Sequence, residues 1–159
     1  MAMVIDGDVA AYGLFQIAFA TMDTRVSRSL AALGQRKDAK LSFATLGRMQ
    51  FGRRLKKLRE AIEAAKPDLQ NDPVIEELEL ACNLAQSVQW WRNDRIHAEV
   101  RFLENRPVLV DEDGKPLQID REACEKKIRE AIRVGTAMEA AVPHLIAHEM
   151  DLRDLIDEP

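Results

Sequence analysis

The chain is poor in the residues that most often announce a function. It has two cysteines and three histidines in 159 residues, one tyrosine, and aromatic side chains at 5% of positions. Two cysteines do not make a disulfide scaffold. Cys82 and Cys124 both fall in helical patterns and read as small buried residues of a reducing compartment. Seven glycines and six prolines are too few for a low-complexity or fibrous chain. They form no P-loop, dinucleotide fingerprint or serine-centred elbow, and no CxxC pair occurs. No apolar run is long enough for a membrane span. The N-terminal stretch MAMVIDGDVAAYGLFQIAFA carries Asp6 and Asp8 where a secretory signal would want basic residues, so a cytoplasmic protein is expected.

What is present is charge and helical periodicity. Charged residues make up 31% of the chain and hydrophobic ones 47%, which suits one soluble globular domain with its own core. The net charge of −4 is unevenly spread. Arg36 to Arg59 holds nine basic residues against one acid, Asp38, a local +8 that leaves −12 for the rest. A basic patch of that kind is compatible with a nucleic-acid partner despite the acidic whole.

Apolar residues at Ile5, Val9, Tyr12, Phe15, Phe19, Met22, Val26, Leu30 and Leu33 recur every three or four positions and predict a first helix, stopping near Gly34. Leu41, Ala44, Phe51, Leu55, Leu58, Ile62 and Ala65 predict a second, ending before Pro67. Asp72-Pro73 is a cap followed by proline at the first helical position. The third helix is expected to run from there to about Glu104. It would have two apolar faces, Leu78, Cys82, Ala85, Ile96, Val100 and Leu103 on one, and Leu80, Leu84, Val88, Trp91, Ala98 and Phe102 on the other. Pro107–Val110 and Lys115–Ile119 around Asp113-Gly114 read as a small β-hairpin. Asp120 caps a fourth helix that Pro143 kinks or ends, and a short final helix follows (Leu145, Ile146, Met150, Leu152, Leu155, Ile156). The expected fold class is all-α, a four- to five-helix bundle with a small β-hairpin inserted before the fourth helix. The domain spans 1–156 and 157–159 is a loose tail.

The chemistry concentrates in Arg92-Asn93-Asp94-Arg95-Ile96-His97, preceded by Trp90 and Trp91. A fixed cation, an amide and an imidazole are suited to holding a phosphate and moving a proton beside it. On a straight helix Arg92 and His97 stand about 140° apart. They would then meet at one phosphate only if the helix is irregular there, or if two copies of the segment face each other across a dimer axis.

Arg92, Asn93 and His97, as Arg-Asn-x-x-x-His late in a helical bundle, resemble the signature of the HEPN superfamily. The helix order of residues 5 to 140 is similar to its small bacterial members. The resemblance implies a homodimeric, metal-independent endoribonuclease of toxin or defence type, needing no cofactor and no membrane. RNA would be its substrate and an antitoxin or nucleotidyltransferase its partner protein. It also implies roles. His97 acts as general base or acid at the 2′-hydroxyl or the leaving oxygen, Arg92 stabilises the charge gathering on the phosphate, and Asn93 orients His97 or binds a phosphate oxygen. Nucleic-acid binding is assigned to Arg48, Arg53, Arg54, Lys56 and Lys57 of the basic stretch, with Trp90 free to stack a base.

Each of these residues has an ordinary reading as well. Arg92 could pair with Glu77, Glu99 or another buried acid, Asn93 could satisfy nearby backbone, and His97 could sit on a helix surface. Trp91, on an apolar face, is expected in the core. The lysines and arginines could be solvated or paired with acids such as Glu76 or Glu79. His144, His148 and Glu149 lack both the zincin order and a third ligand. The alternative function is a non-catalytic helical interaction module that binds protein or nucleic acid through the basic second helix. An unrelated bundle holding a small ligand is a third.

Overall fold

The computed structural model describes residues 7–35, 46–67, 72–95, 99–117 and 119–147. In chain order these form α1 (Gly7–Gln35), α2 (Phe51–Ala65), α3 (Pro73–Asn93), β1 (Glu99–Leu103), β2 (Arg106–Val110) and α4 (Arg121–Ala147). The molecule is mostly helical, with an antiparallel hairpin ahead of the last helix, as its periodicities predict.

The core follows the first helix's apolar spacing. Tyr12, Phe15, Phe19, Met22, Val26 and Leu30 are buried along one stripe of α1. That stripe packs along α4 through Cys124, Ala131, Val134, Ala137, Met138 and Ala141. Most of these side chains are small, so the two backbones approach closely. At Gly135 an added Cβ would lie 2.7 Å from Cδ of Arg25, which crosses there to reach Glu139 at 3.1 Å. Helix α3 lies against the other side of α4 and inserts Leu78, Ala81, Cys82, Ala85 and Val88 into the same core. A half-buried Lys127 links those two helices, donating to Ser87 at 2.6 Å and Glu130 at 2.7 Å. Helix α2 completes the bundle with Leu55, Leu58, Ala61 and Ile62.

Helix starts match their signals. The Asp72 carboxylate accepts from the Val74 N–H at 2.9 Å with Pro73 opening the helix, and Asp120 accepts from the Glu122 N–H at 2.9 Å. Helix ends match less well. The third helix stops at Asn93, eleven residues short of the predicted Glu104. The Arg95 N–H turns back to the Arg92 carbonyl at 2.9 Å, and the Arg95 guanidinium caps the Trp91 carbonyl at 3.0 Å. Two arginines at this end also suit the helix dipole. The fourth helix passes through Pro143 to Ala147 and takes in the first residues assigned to a separate final helix, whose remainder lies outside the described residues, like the 157–159 tail.

The hairpin is offset from its predicted strands. Residues 99–103, expected to be helical, pair with Arg106–Val110 from Glu99↔Val110 to Leu103↔Arg106. The connection is Glu104-Asn105, with φ of 49° and 63°, both left-handed as a two-residue type I′ turn requires. The Asp113-Gly114 turn also forms. The Asp111 side chain accepts from the Asp113 and Lys115 N–H groups, and Gly114 takes φ of 76°. The arm after it makes only a bridge, Val110↔Pro116, and a bond from the Leu117 N–H to the Leu109 carbonyl at 2.8 Å.

Phe15 is fully buried and touches the rings of Tyr12, Phe19 and Trp91. Replacing it with alanine is expected to destabilise the fold by about 3–5 kcal/mol. Urea unfolding of both proteins measures this; a loss under about 1 kcal/mol would show that this ring contact is not central.

Candidate functional site

The end of α3 meets α1 and α2 in a seam of arginines and aromatic rings. Trp91 stacks edge-on against Phe15 with centroids 4.6 Å apart, and the Arg95 guanidinium covers its face at 4.1 Å. One residue on, the Arg92 guanidinium lies over Phe19 at 4.5 Å, and its Nε donates to Gln16 Oε1 at 3.3 Å. Phe19 packs on Phe51 at 5.4 Å, and Arg54 lies over Phe51 at 5.9 Å. Arg54 then pairs with Asp23 of α1 and donates to the Leu46 carbonyl at 2.8 Å. Tyr12 closes the other end, its hydroxyl donating to the Arg95 carbonyl at 2.8 Å. Each guanidinium–ring contact contributes on the order of 0.5–2 kcal/mol.

Charge in this seam is tightly held. Burial pushes the Asp23 carboxyl above its ordinary value of 3.8, although both Arg54 and Arg92 pull the other way. Burial likewise raises the Tyr12 hydroxyl, against a hydrogen bond with Gln16 and the nearby Arg92 and Arg95. Arg54 Nε is buried without a hydrogen-bond partner. The thiols are poor nucleophiles: burial pushes Cys82 up to about 11 and also raises Cys124.

The sequence-predicted residues divide among several places. Arg92 is half-buried in the seam, and Asn93 is the exposed last residue of α3. His97 lies outside the described residues. Arg92 takes neither of its suggested carboxylates, because Glu77 pairs with Arg133 at 3.4 Å and Glu99 with Arg101 at 3.2 Å. Trp90 is 65% exposed, available for stacking, while Trp91 belongs to the core as expected. Of the basic residues, Arg48, Arg53 and Lys56 are exposed, and Lys56 has Glu60 at 3.6 Å. Arg54 and Lys57 turn inward, 5% and 6% exposed, so the expected five-residue binding face is reduced. Arg54 and Lys57 are three residues apart and so share a helix face, each standing next to a core leucine, Leu55 and Leu58, that turns it toward the buried side.

Two features were not legible beforehand. The Asp23–Arg54 pair joins residues of different helices, with no local spacing to reveal it. An open cleft of about 740 Å³ lies where the first turn of α1 meets β2 and the start of α4, with Asp8, Asp120 and Arg121 among its lining residues. Among the described residues no group of three or more His, Cys, Asp or Glu side chains could hold a metal ion. No helix among them is long and apolar enough to cross a membrane. Compared with family models, curated proteins and solved structures, the chain has no match.

Asp23→Ala is expected to destabilise the fold by about 1–3 kcal/mol, because it leaves a buried Arg54 N–H without its acceptor. The raised carboxyl has a pH signature of its own. Between 3.8 and its higher folded value the native state holds the proton more tightly, so this group's contribution to stability falls as pH rises through that window. Stability against pH, measured for both proteins by denaturant unfolding, should lose that falling component in the variant. An unchanged stability would show that Arg54 does not rely on Asp23.

Proposed function

We propose that this chain is an RNA-binding, HEPN-like protein acting as a metal-independent endoribonuclease, with Arg92, Asn93 and His97 in a composite site between two copies. The observation that carries the reading is the end of α3 at Asn93, inside the motif. Arg92 stays on the last helical turn, anchored by Gln16 and Phe19, and Asn93 is exposed beside it. His97 lies outside the described residues; the helix whose repeat would set it about 140° from Arg92 ends four residues before it.

In this mechanism the 2′-hydroxyl of a ribose attacks its adjacent phosphorus. The bond to the 5′-oxygen breaks and a 2′,3′-cyclic phosphate forms. His97 takes the hydroxyl proton or supplies one to the departing oxygen. Arg92, held rigid by its stacking, stabilises negative charge on the phosphate without reorganising. Asn93 orients the imidazole or donates to a phosphate oxygen. Trp90 offers a base-stacking face, and Arg48, Arg53 and Lys56 offer cations to the backbone. A cytoplasmic role as toxin or effector of a bacterial defence or toxin–antitoxin system, with an antitoxin or nucleotidyltransferase partner, rests on the motif resemblance alone.

A second reading, the non-catalytic interaction module, is favoured by the in-chain contacts of Arg92, which give that residue a structural reason to be where it is. In that reading α2 and the segment just ahead of it dock an acidic protein or nucleic acid through Arg48, Arg53 and Lys56, and His97 plays no part.

Total RNA incubated with the protein in EDTA separates the two. The ribonuclease reading expects cleavage leaving 2′,3′-cyclic ends, reduced about a hundredfold or more by His97→Ala. Asn93→Ala, at an exposed position, should also slow it without altering the thermal melt. Intact total RNA and tRNA with wild type, or equal cleavage by His97→Ala, would overturn it. The module reading expects reversal of Arg48, Arg53 and Lys56 to abolish binding while His97→Ala leaves it unchanged.

A further inference from the structure

Strand β1 is exposed at all five positions, with Val100 at 54% and Phe102 at 61%. No described strand pairs with its outer edge. An open, apolar edge is an invitation to a further strand. The backbone bonds available there follow from the hairpin. The Leu109 carbonyl points away from β1, since it accepts from Leu117, and Leu109 stands opposite Val100. Val100↔Leu109 is therefore a pair without mutual hydrogen bonds, and so is Phe102↔Pro107, where proline has no N–H to give. Val100 and Phe102 thus turn their N–H and C=O groups to the free edge, while Glu99, Arg101 and Leu103 bond to β2.

We infer that β1 is a homodimer interface, in which β1 of a second copy pairs antiparallel with it about a two-fold axis through Val100. Charge selects both the occupant and the register. In this register Glu99 of each copy stands opposite Arg101 of the other, giving two cross-strand ion pairs at close, non-hydrogen-bonded positions. Moving the axis to Arg101 would set the two arginines face to face, which is unfavourable. A one-residue shift would point the bonding groups of one strand at the non-bonding groups of the other. The side chains agree as well. Leu109, 3% exposed, stands opposite Val100, and across the axis the row continues as Val100 and Leu109 of the second copy. Phe102 lies diagonal to the second copy's Val100 and is covered with it. The two hairpins become one continuous sheet whose apolar face is an extension of each core.

This interface supplies the second copy that the composite-site reading requires, but it does not depend on catalysis. Sedimentation equilibrium of the full chain, without RNA, tests it. Wild type should dimerise. Val100→Pro removes an N–H that the hairpin does not use, so the expected result is a monomer with an unchanged circular dichroism spectrum. Glu99→Arg should weaken association about tenfold by opposing like charges, and Glu99→Arg with Arg101→Glu should restore it. A monomeric wild type, or a dimer whose affinity Val100→Pro and Glu99→Arg leave unchanged, would overturn the proposal. Cleavage of RNA by a monomeric wild type would overturn this interface and leave the ribonuclease chemistry standing; a β1-dependent dimer inert toward RNA would do the reverse.

Discussion

Burial of the α1 stripe from Tyr12 to Leu30 is the constraint on which the remaining structure rests. One turn of that stripe meets α4 through small residues and another meets α3 through Phe15 and Trp91. Phe19 continues it to Phe51 on α2. Each of the other helices therefore takes its place relative to one continuous apolar surface. The hairpin touches that surface by β2, whose Leu109 joins the core, and leaves β1 beyond its edge.

The candidate site is a consequence of this packing. Arginines are tolerated among Phe15, Phe19 and Phe51 because their planar cations lie on ring faces while their N–H groups find Gln16, Asp23 and backbone carbonyls. The contacts of Arg92 with Gln16 and Phe19, which the proposed mechanism uses to fix that side chain, also hold α3 against α1. In the proposed mechanism one side chain would thus combine structural and chemical roles, whereas Asn93 is exposed. The pair of buried Arg54 with half-buried Asp23 carries a desolvation cost and removes Arg54 from the surface where its neighbours in sequence would place it.

The helical order, the caps at Asp72 and Asp120, and the core stripe of α1 were legible in the chain because each depends on local spacing and on residues a few positions apart. The third helix misled because Val100, Phe102 and Leu103 fit a helical face as well as a strand alternation, and no glycine or proline marks the stop at Asn93. What ends that helix is Arg95 bonding back to Trp91, and Tyr12 holding the Arg95 carbonyl from eighty-three residues away. The turn at Glu104-Asn105 was hidden for a similar reason: glutamate at positive φ is an unusual choice, and pairing of the flanking strands enforces it.

By itself the sequence determined the class of fold, a helical bundle with an inserted hairpin, and the presence of an Arg-Asn-x-x-x-His motif. Periodicity and capping act over one or two turns and so can be read from neighbours in the chain. Only the tertiary structure decided which arginines are buried, where α3 stops, and which strand is left with a bare edge. Those outcomes depend on contacts between residues far apart in sequence, where the packing of one helix on another selects among local conformations of nearly equal energy.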